Sequence, residues 1–191
     1  MKLLLHVSIF FAIPFISLSC VSVEKNALLQ IKKSFNNPRD LSTWTPQTDC
    51  CTAWNGVECT NGRVTGLGKI PESLSKYDFK DVDLSGNNFI GDGSMFFGRN
   101  KTTVSVNLSR NKFEFDLSKV KFAKSIAFLL LSQNRIYGKL PRELIKLPLD
   151  QFNVSYNSLC GKIPRGGFLQ TFEPSAFSHN LCLCGAPLKT C

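Results

Sequence analysis

The chain has 191 residues, 43% of them apolar, with 23 Lys and Arg against 14 Asp and Glu for a formal net charge of +9. Length and apolar content are those of a single globular domain. The cations (Lys32, Lys33, Lys69, Arg99, Lys101, Lys119, Lys121, Lys124, Arg142, Arg165) are scattered and form no stripe interleaved with aromatics, which argues against nucleic acid as the partner.

Residues 1–19 read as a secretion signal: Lys2, the apolar run Leu3 to Leu18, and small Ser17 and Ser19 where a signal peptidase prefers them, with cleavage between Ser19 and Cys20. Pro14 interrupts the run, which is shorter than the roughly 20 residues of a membrane-crossing helix. No later segment is long enough, so no membrane span is expected in the mature chain. Loss of Lys2 leaves 22 basic and 14 acidic residues, a net charge of +8. An exported basic protein meets acidic polysaccharide or acidic proteins first.

Residues 20–62 read as a cysteine-rich cap. A helix is predicted over 24–35, with Ala27, Leu28, Ile31 and Phe35 on one face and Lys32 and Lys33 on the other, ended by Pro38. Trp44 and Trp54 follow, with an apolar end to cover. The eight cysteines fall into two clusters, Cys20, Cys50, Cys51, Cys59 and Cys160, Cys182, Cys184, Cys191, with none between. Each cluster allows three pairings, and adjacent Cys50 and Cys51, like Cys182 and Cys184, are poorly placed to bond to each other. Zinc is the rival use of such clusters; an export signal and an even count favour disulfides, so no metal or other cofactor is expected.

Residues 63–164 repeat. Asn87, Asn111, Asn134 and Asn157 recur every 23 or 24 residues, each closing an apolar-x-apolar-Ser-x-Asn pattern: Val82, Leu84; Val106, Leu108; Leu129, Leu131; Phe152, Val154. A period in the twenties fits one short strand and a return, so the chain is predicted to be a leucine-rich repeat solenoid of four to five rungs, with a parallel concave sheet and an irregular or 3-10 convex side. Each Asn turns inward to satisfy open backbone groups, and Ser85, Ser109, Ser132 and Ser155 belong to the same grammar rather than to catalysis. Residues 165–191 form the closing cap. Gly138-Lys-Leu-Pro141 and Gly161-Lys-Ile-Pro164 mark two returns, and Gly68-Lys-Ile-Pro71 shares their phase, yet Val64 occupies the asparagine slot that Pro71 implies. Arg63 to Leu67 reads as the first strand leaving the cap. We read a junction near Leu67/Gly68 with half a rung missing, the alternative being an irregular first rung.

Alternation along each strand exposes three concave rows: Asp81, Ser105, Phe128, Gln151; Asp83, Asn107, Leu130, Asn153; and Gly86, Arg110, Gln133, Tyr156. Phe128, Leu130 and Tyr156 beside Arg110 and Gln133 have the composition of a binding hot spot. Asn100, Asn107 and Asn153 head glycosylation sequons, two of them flanking Leu130. No catalytic residue is expected. Past the signal only His179 remains as histidine, Asp81 and Asp83 lack the enclosing pocket a glycosidase pair needs, and Gly91 to Gly98 is a turn rather than a nucleotide loop.

Ala27-Leu-Leu-Gln-Ile-Lys-Lys33, Thr48-Asp-Cys-Cys51, Trp54-Asn-Gly-Val-Glu-Cys59, Asn157-Ser-Leu-Cys-Gly-Lys-Ile-Pro164 and Cys182-Leu-Cys-Gly-Ala-Pro-Leu188 occur in order. In these motifs the chain resembles the plant polygalacturonase-inhibiting proteins, secreted leucine-rich repeat proteins, of which it looks like a shortened member. The resemblance implies the pairs Cys20–Cys50, Cys51–Cys59, Cys160–Cys182 and Cys184–Cys191, and a second strand built by Gly-x-Ile-Pro beside the concave sheet. It further implies a secreted, cell-wall (apoplastic) protein of plant defence with a polygalacturonase as protein partner; the positive charge adds acidic pectin as an expected further contact, and a monomer is expected. Family members carry more repeats, and their enzyme-gripping face lies on central rungs that this chain largely lacks. The other readings are an extracellular signalling module, a cell-wall or ice-surface binder, and a shortened form without inhibitory activity.

Overall fold

The computed structural model describes residues 19–34, 37, 39–70 and 72–191. The proposed signal up to Leu18, and Phe35 and Pro38 at the end of the predicted helix, lie outside the described residues. Helix α1 spans Ser22–Ser34, beginning two residues earlier than the pattern suggested. Its buried stripe is narrower than predicted: Leu28 is buried, Leu29 and Ile31 are half-buried, and Ala27 is exposed. The helix touches the rest of the chain along one side only, so the edge of its apolar face stays wet.

A hairpin the repeat arithmetic did not find follows the helix. Strand β1 (Val57–Thr60) pairs antiparallel with β2 (Arg63–Lys69) through Thr60 and Arg63. Asn61 and Gly62 turn the chain with φ of 52° and 73°. That Asn-Gly pair is a strong local signal for such a turn, because both central residues need positive φ.

Four strands then stack in parallel as the concave sheet: β3 (Asp81–Asp83), β5 (Ser105–Asn107), β7 (Phe128–Leu130) and β9 (Gln151–Asn153), in that order. Val82, Leu84, Val106, Leu108, Leu129, Leu131, Phe152 and Val154 all point inward and are buried. Each such side chain contributes about 1.5–3 kcal/mol relative to exposure. Beside this sheet run β4 (Phe89–Gly91), β6 (Lys112–Phe113), β8 (Tyr137–Gly138), β10 (Ser158–Lys162) and β11 (Cys182–Cys184), split into the sheets β1-β2-β4-β6 and β11-β10-β8. Gly138 and Gly161 take φ of 88° and 99° here, which explains the glycine of each Gly-x-x-Pro return. Short 3-10 turns at Glu72–Lys76, Ser94–Phe96, Leu117–Lys119 and Arg142–Lys146 complete the rungs. The glycine-bounded stretch 91–98 is indeed a turn, with Phe96 and Phe97 buried.

At Leu67/Gly68 the backbone is one continuous strand. Leu67 pairs with Phe89 and Lys69 with Ile90, so Gly68 is an extra residue in the ladder, a bulge at the predicted junction. The segment leaving the cap therefore does not become the first concave strand: β2 pairs with β1 and β4, and the concave sheet begins at β3.

Both ends are sealed by disulfides, Cys20–Cys50 and Cys51–Cys59 at one, Cys160–Cys182 and Cys184–Cys191 at the other. The Cys20, Cys50 and Cys51 sulfurs cluster closely enough to suggest a metal, but all three are bonded in pairs. Trp44 and Trp54 are buried and stacked with centroids 5.3 Å apart. Each spends its indole N–H, on Asn55 O and Thr48 Oγ1, both at 2.8 Å.

Candidate functional site on the concave face

The register sets Asp81, Ser105, Phe128 and Gln151 side by side, and likewise Asp83, Asn107, Leu130 and Asn153. Asp81, Asp83 and Gln151 are exposed; Ser105, Phe128 and Leu130 are half-buried between their neighbours. Asp83 Oδ1 accepts from Ser85 N at 2.9 Å and Oδ2 faces Asn107 Nδ2 at 3.4 Å. Burial works against ionisation of Asp83, but the Ser85 hydroxyl and amide and the Asn107 amide outweigh it and hold the carboxyl below its ordinary value. A carboxyl held ionised is the wrong partner for general-acid chemistry at this pair.

Below the rows stands the asparagine ladder. Asn134 Oδ1 accepts from Phe113 N at 3.0 Å, while its Nδ2 donates to Leu108 O at 2.9 Å on the preceding rung and Leu131 O at 3.1 Å on its own. Asn111 and Asn157 repeat this arrangement. So does Asn180, which Phe177-Ser-His-Asn180 places 23 residues after Asn157; its Oδ1 accepts from Leu159 N and its Nδ2 donates to Val154 O. Extending the period once more would have found it inside the closing cap. Asn87 departs from the inward expectation: it is exposed, because among the described residues no concave strand precedes its own rung.

The residue before each ladder asparagine is left-handed: Gly86, Arg110, Gln133, Tyr156 and His179, with φ between 54° and 68°. This backbone choice turns their side chains out along one margin of the face. His179, expected only as a cap residue, extends the row by stacking on Tyr156, with centroids 4.1 Å apart and planes 14° from parallel. Tyr156 is 51% exposed.

The comparisons with known proteins fit this geometry. Residues 21–60 match a leucine rich repeat N-terminal domain. Leucine-rich repeat protein FLOR 1 of Arabidopsis thaliana is 43% identical over 325 aligned residues that cover 100% of both chains. The chain belongs to the plant leucine-rich repeat proteins. Of the 325 positions of that alignment, 191 are filled by this chain, leaving 134 without a counterpart. Polygalacturonase inhibitor 1 of Arabidopsis thaliana is 55% identical over 114 residues, 60% of this chain and 34% of the relative. The chain thus spans about a third of the length of the inhibitors it matches. Among solved structures, a plant ice-binding protein superposes with a TM-score of 0.64 at 26% identity, covering 91% of this chain and 98% of its own. The BIR3–SERK2 complex from Arabidopsis thaliana gives 0.56 at 30% identity, covering 85% and 96%.

In this leucine-rich repeat protein the sequon asparagines differ in setting. Asn100 is exposed, whereas Asn107 and Asn153 are half-buried, with Oδ1 accepting from Ser109 N at 3.2 Å and Ser155 N at 3.0 Å. The fold also gathers cations that looked scattered. Arg99, Lys101, Lys124 and Lys146 line an open cleft of about 870 Å³ on the flank, with Asn100 and Glu143. Burial holds the Lys101 amine below its ordinary value despite the pull of Asp78, and the amine donates to Tyr77 O at 2.8 Å.

Proposed function

We propose that the protein is an extracellular, non-catalytic leucine-rich repeat protein of plant defence that grips a pectin-degrading enzyme across its concave face and blocks the enzyme's substrate cleft. The 55% identity to a polygalacturonase inhibitor carries this reading, since it covers 60% of the chain. Phe128 and Leu130 supply the apolar centre, and Arg110, Gln133 and Tyr156 the polar margin, that a protein interface uses. The flank cleft with Arg99, Lys101, Lys124 and Lys146 suits a contact with acidic pectin. The decisive experiment titrates purified protein against a panel of polygalacturonases. Inhibition that Phe128→Asp with Leu130→Asp weakens at least about tenfold, a loss of about 1.4 kcal/mol, supports the reading; full enzyme activity at saturating protein sinks it.

A second reading rests on size. The chain covers 96% of its counterpart in the BIR3–SERK2 complex, so it has the extent of a whole chain seen in a protein complex. A signalling role predicts capture of a receptor ectodomain with no effect on pectin cleavage. Ice binding, suggested by the ice-binding relative in structure, predicts altered ice growth at micromolar protein.

A further inference from the structure

Along the concave sheet each strand faces backward with alternate residues. Asn107 O accepts from Leu84 N of the preceding rung, Leu130 O from Leu108 N, and Asn153 O from Leu131 N, all at 2.8–2.9 Å. Ser105 N likewise donates backward to Lys80 O at 3.2 Å. Asp83 and Asp81 hold the equivalent positions on β3, in register with Asn107 and Ser105. Because successive residues of a strand direct their N–H and C=O groups to opposite edges, the groups of Lys80, Val82 and Leu84 serve β5, and those of Asp81 and Asp83 face away from it. Nothing pairs with β3 on that side among the described residues: the strand that should lie there, leaving the cap, is β2, which runs directly into the other sheet.

The junction at Leu67/Gly68 therefore has a specific consequence. The chain passes from the cap strand into the return of the first rung without forming a concave strand, and leaves a short parallel edge open beside two exposed carboxylates. The stretch of chain that holds β3 is acidic against the rest of the sequence. Residues 72–92 hold Glu72, Asp78, Asp81, Asp83 and Asp92 against Lys76 and Lys80, whereas the whole chain is strongly basic. A second copy would bring its own Asp81 and Asp83 to the same edge, and like charges directly opposite on paired strands are destabilising.

We propose that the open edge of β3 is a docking site for an extended segment of a partner protein, added as a further parallel strand, with basic side chains beside Asp81 and Asp83 and an apolar residue between them on the inner side by Val82. Backbone pairing supplies the attraction and the two aspartates select the sign of the incoming charge. This site shares Asp81 and Asp83 with the concave face but none of Phe128, Leu130, Arg110, Gln133 and Tyr156 that the proposed inhibition relies on, so amide exchange at β3 and enzyme inhibition are read independently.

Amide hydrogen exchange of the full protein tests it. In the protein alone, the Asp81 and Asp83 amides are expected to exchange fast while Val82 and Val106 stay slow. A short synthetic peptide of alternating lysine and valine should slow Asp81 and Asp83 about tenfold or more, and the same peptide with glutamate for lysine should not. In the variant Asp81→Lys with Asp83→Lys the preference should reverse; Asp81→Lys alone, which leaves the Asp83–Ser85 bond in place, should halve the discrimination if the double variant misfolds. Slow exchange without peptide that dilution does not change would mean the edge is already covered. Slow exchange lost on dilution would mean a second copy occupies it. Equal slowing by both peptides, or none by either, overturns the proposal as well.

Discussion

At the scale of single residues the protein depends on side chains that repair the backbone. Asn134 serves Phe113 N, Leu108 O and Leu131 O at once; Asn111 and Asn157 also donate to those two carbonyls, so Asn134→Ala leaves the buried Phe113 amide without its partner. A loss of about 2 kcal/mol is expected, read as a drop in the denaturant midpoint at constant slope; a change below about 0.5 kcal/mol would mean water replaces the amide without penalty. Thr103 shows the opposite case. It is fully buried, its Oγ1 has no hydrogen-bond partner, and at 23-residue spacing it stands in the row of buried Ile126 and Leu149. Thr103→Val keeps the shape and removes the stranded hydroxyl, and should raise stability by about 1 kcal/mol. These roles were unequally readable beforehand. The asparagines announce themselves by period and by type, while nothing in the local sequence marks Thr103 as buried, since burial depends on which rung lies above and below.

At the scale of elements, the opening cap is held by carboxylates. Glu24 on α1 accepts from Val64 N at 2.8 Å and from Arg63 Nε at 2.7 Å, and these hydrogen bonds keep its carboxyl below the ordinary value. For Asp49 burial opposes ionisation, but the amides of Cys20, Cys51 and Thr52 prevail and its carboxyl is lowered too. A depressed folded value contributes stability that is present above the unfolded value, near pH 4, and disappears as pH falls through the folded one. The cap should therefore loosen in acid. Trp44 and Trp54, the two tryptophans of the chain, both lie in this cap, so their fluorescence reports it selectively. A transition below about pH 4 that Glu24→Gln makes smaller is expected; a signal flat to pH 2 would contradict it. The helix itself was legible from its apolar spacing, but its clamp on β2 was not. Glu24 and Arg63 are 39 residues apart, and only the β1–β2 hairpin brings them together.

At the scale of the whole molecule, stability is a matter of sealed ends, because each rung buries its core only against its neighbours. The closing seal joins Cys160 and Cys182, which face each other across β10 and β11 at a sequence separation of 22. Replacing both by Ser should cost about 3 kcal/mol and lower the melting temperature of the intact protein. A melting curve unchanged by the replacement, or by full reduction, would show that strand pairing and Asn180 close that end unaided. The same scale holds the question of activity. Four concave strands offer little more than the roughly 800 Å² per partner that a stable interface requires, so the inhibition proposed above requires Phe128 and Leu130 at its centre.

Periodicity alone determined the solenoid, the inward apolar rows, the concave register and the ladder, because a repeat of 23 or 24 residues leaves each position one role relative to its copies. The cysteine positions marked both ends, because a stack of rungs must be sealed where it has no neighbour. What the tertiary structure decided is where the repeat fails: that β2 crosses into the second sheet, that β3 is left with an open edge, that Tyr156 stacks on His179, and that distant lysines share one cleft. These depend on contacts between segments far apart in the chain, and a period carries no information about the places where it is broken.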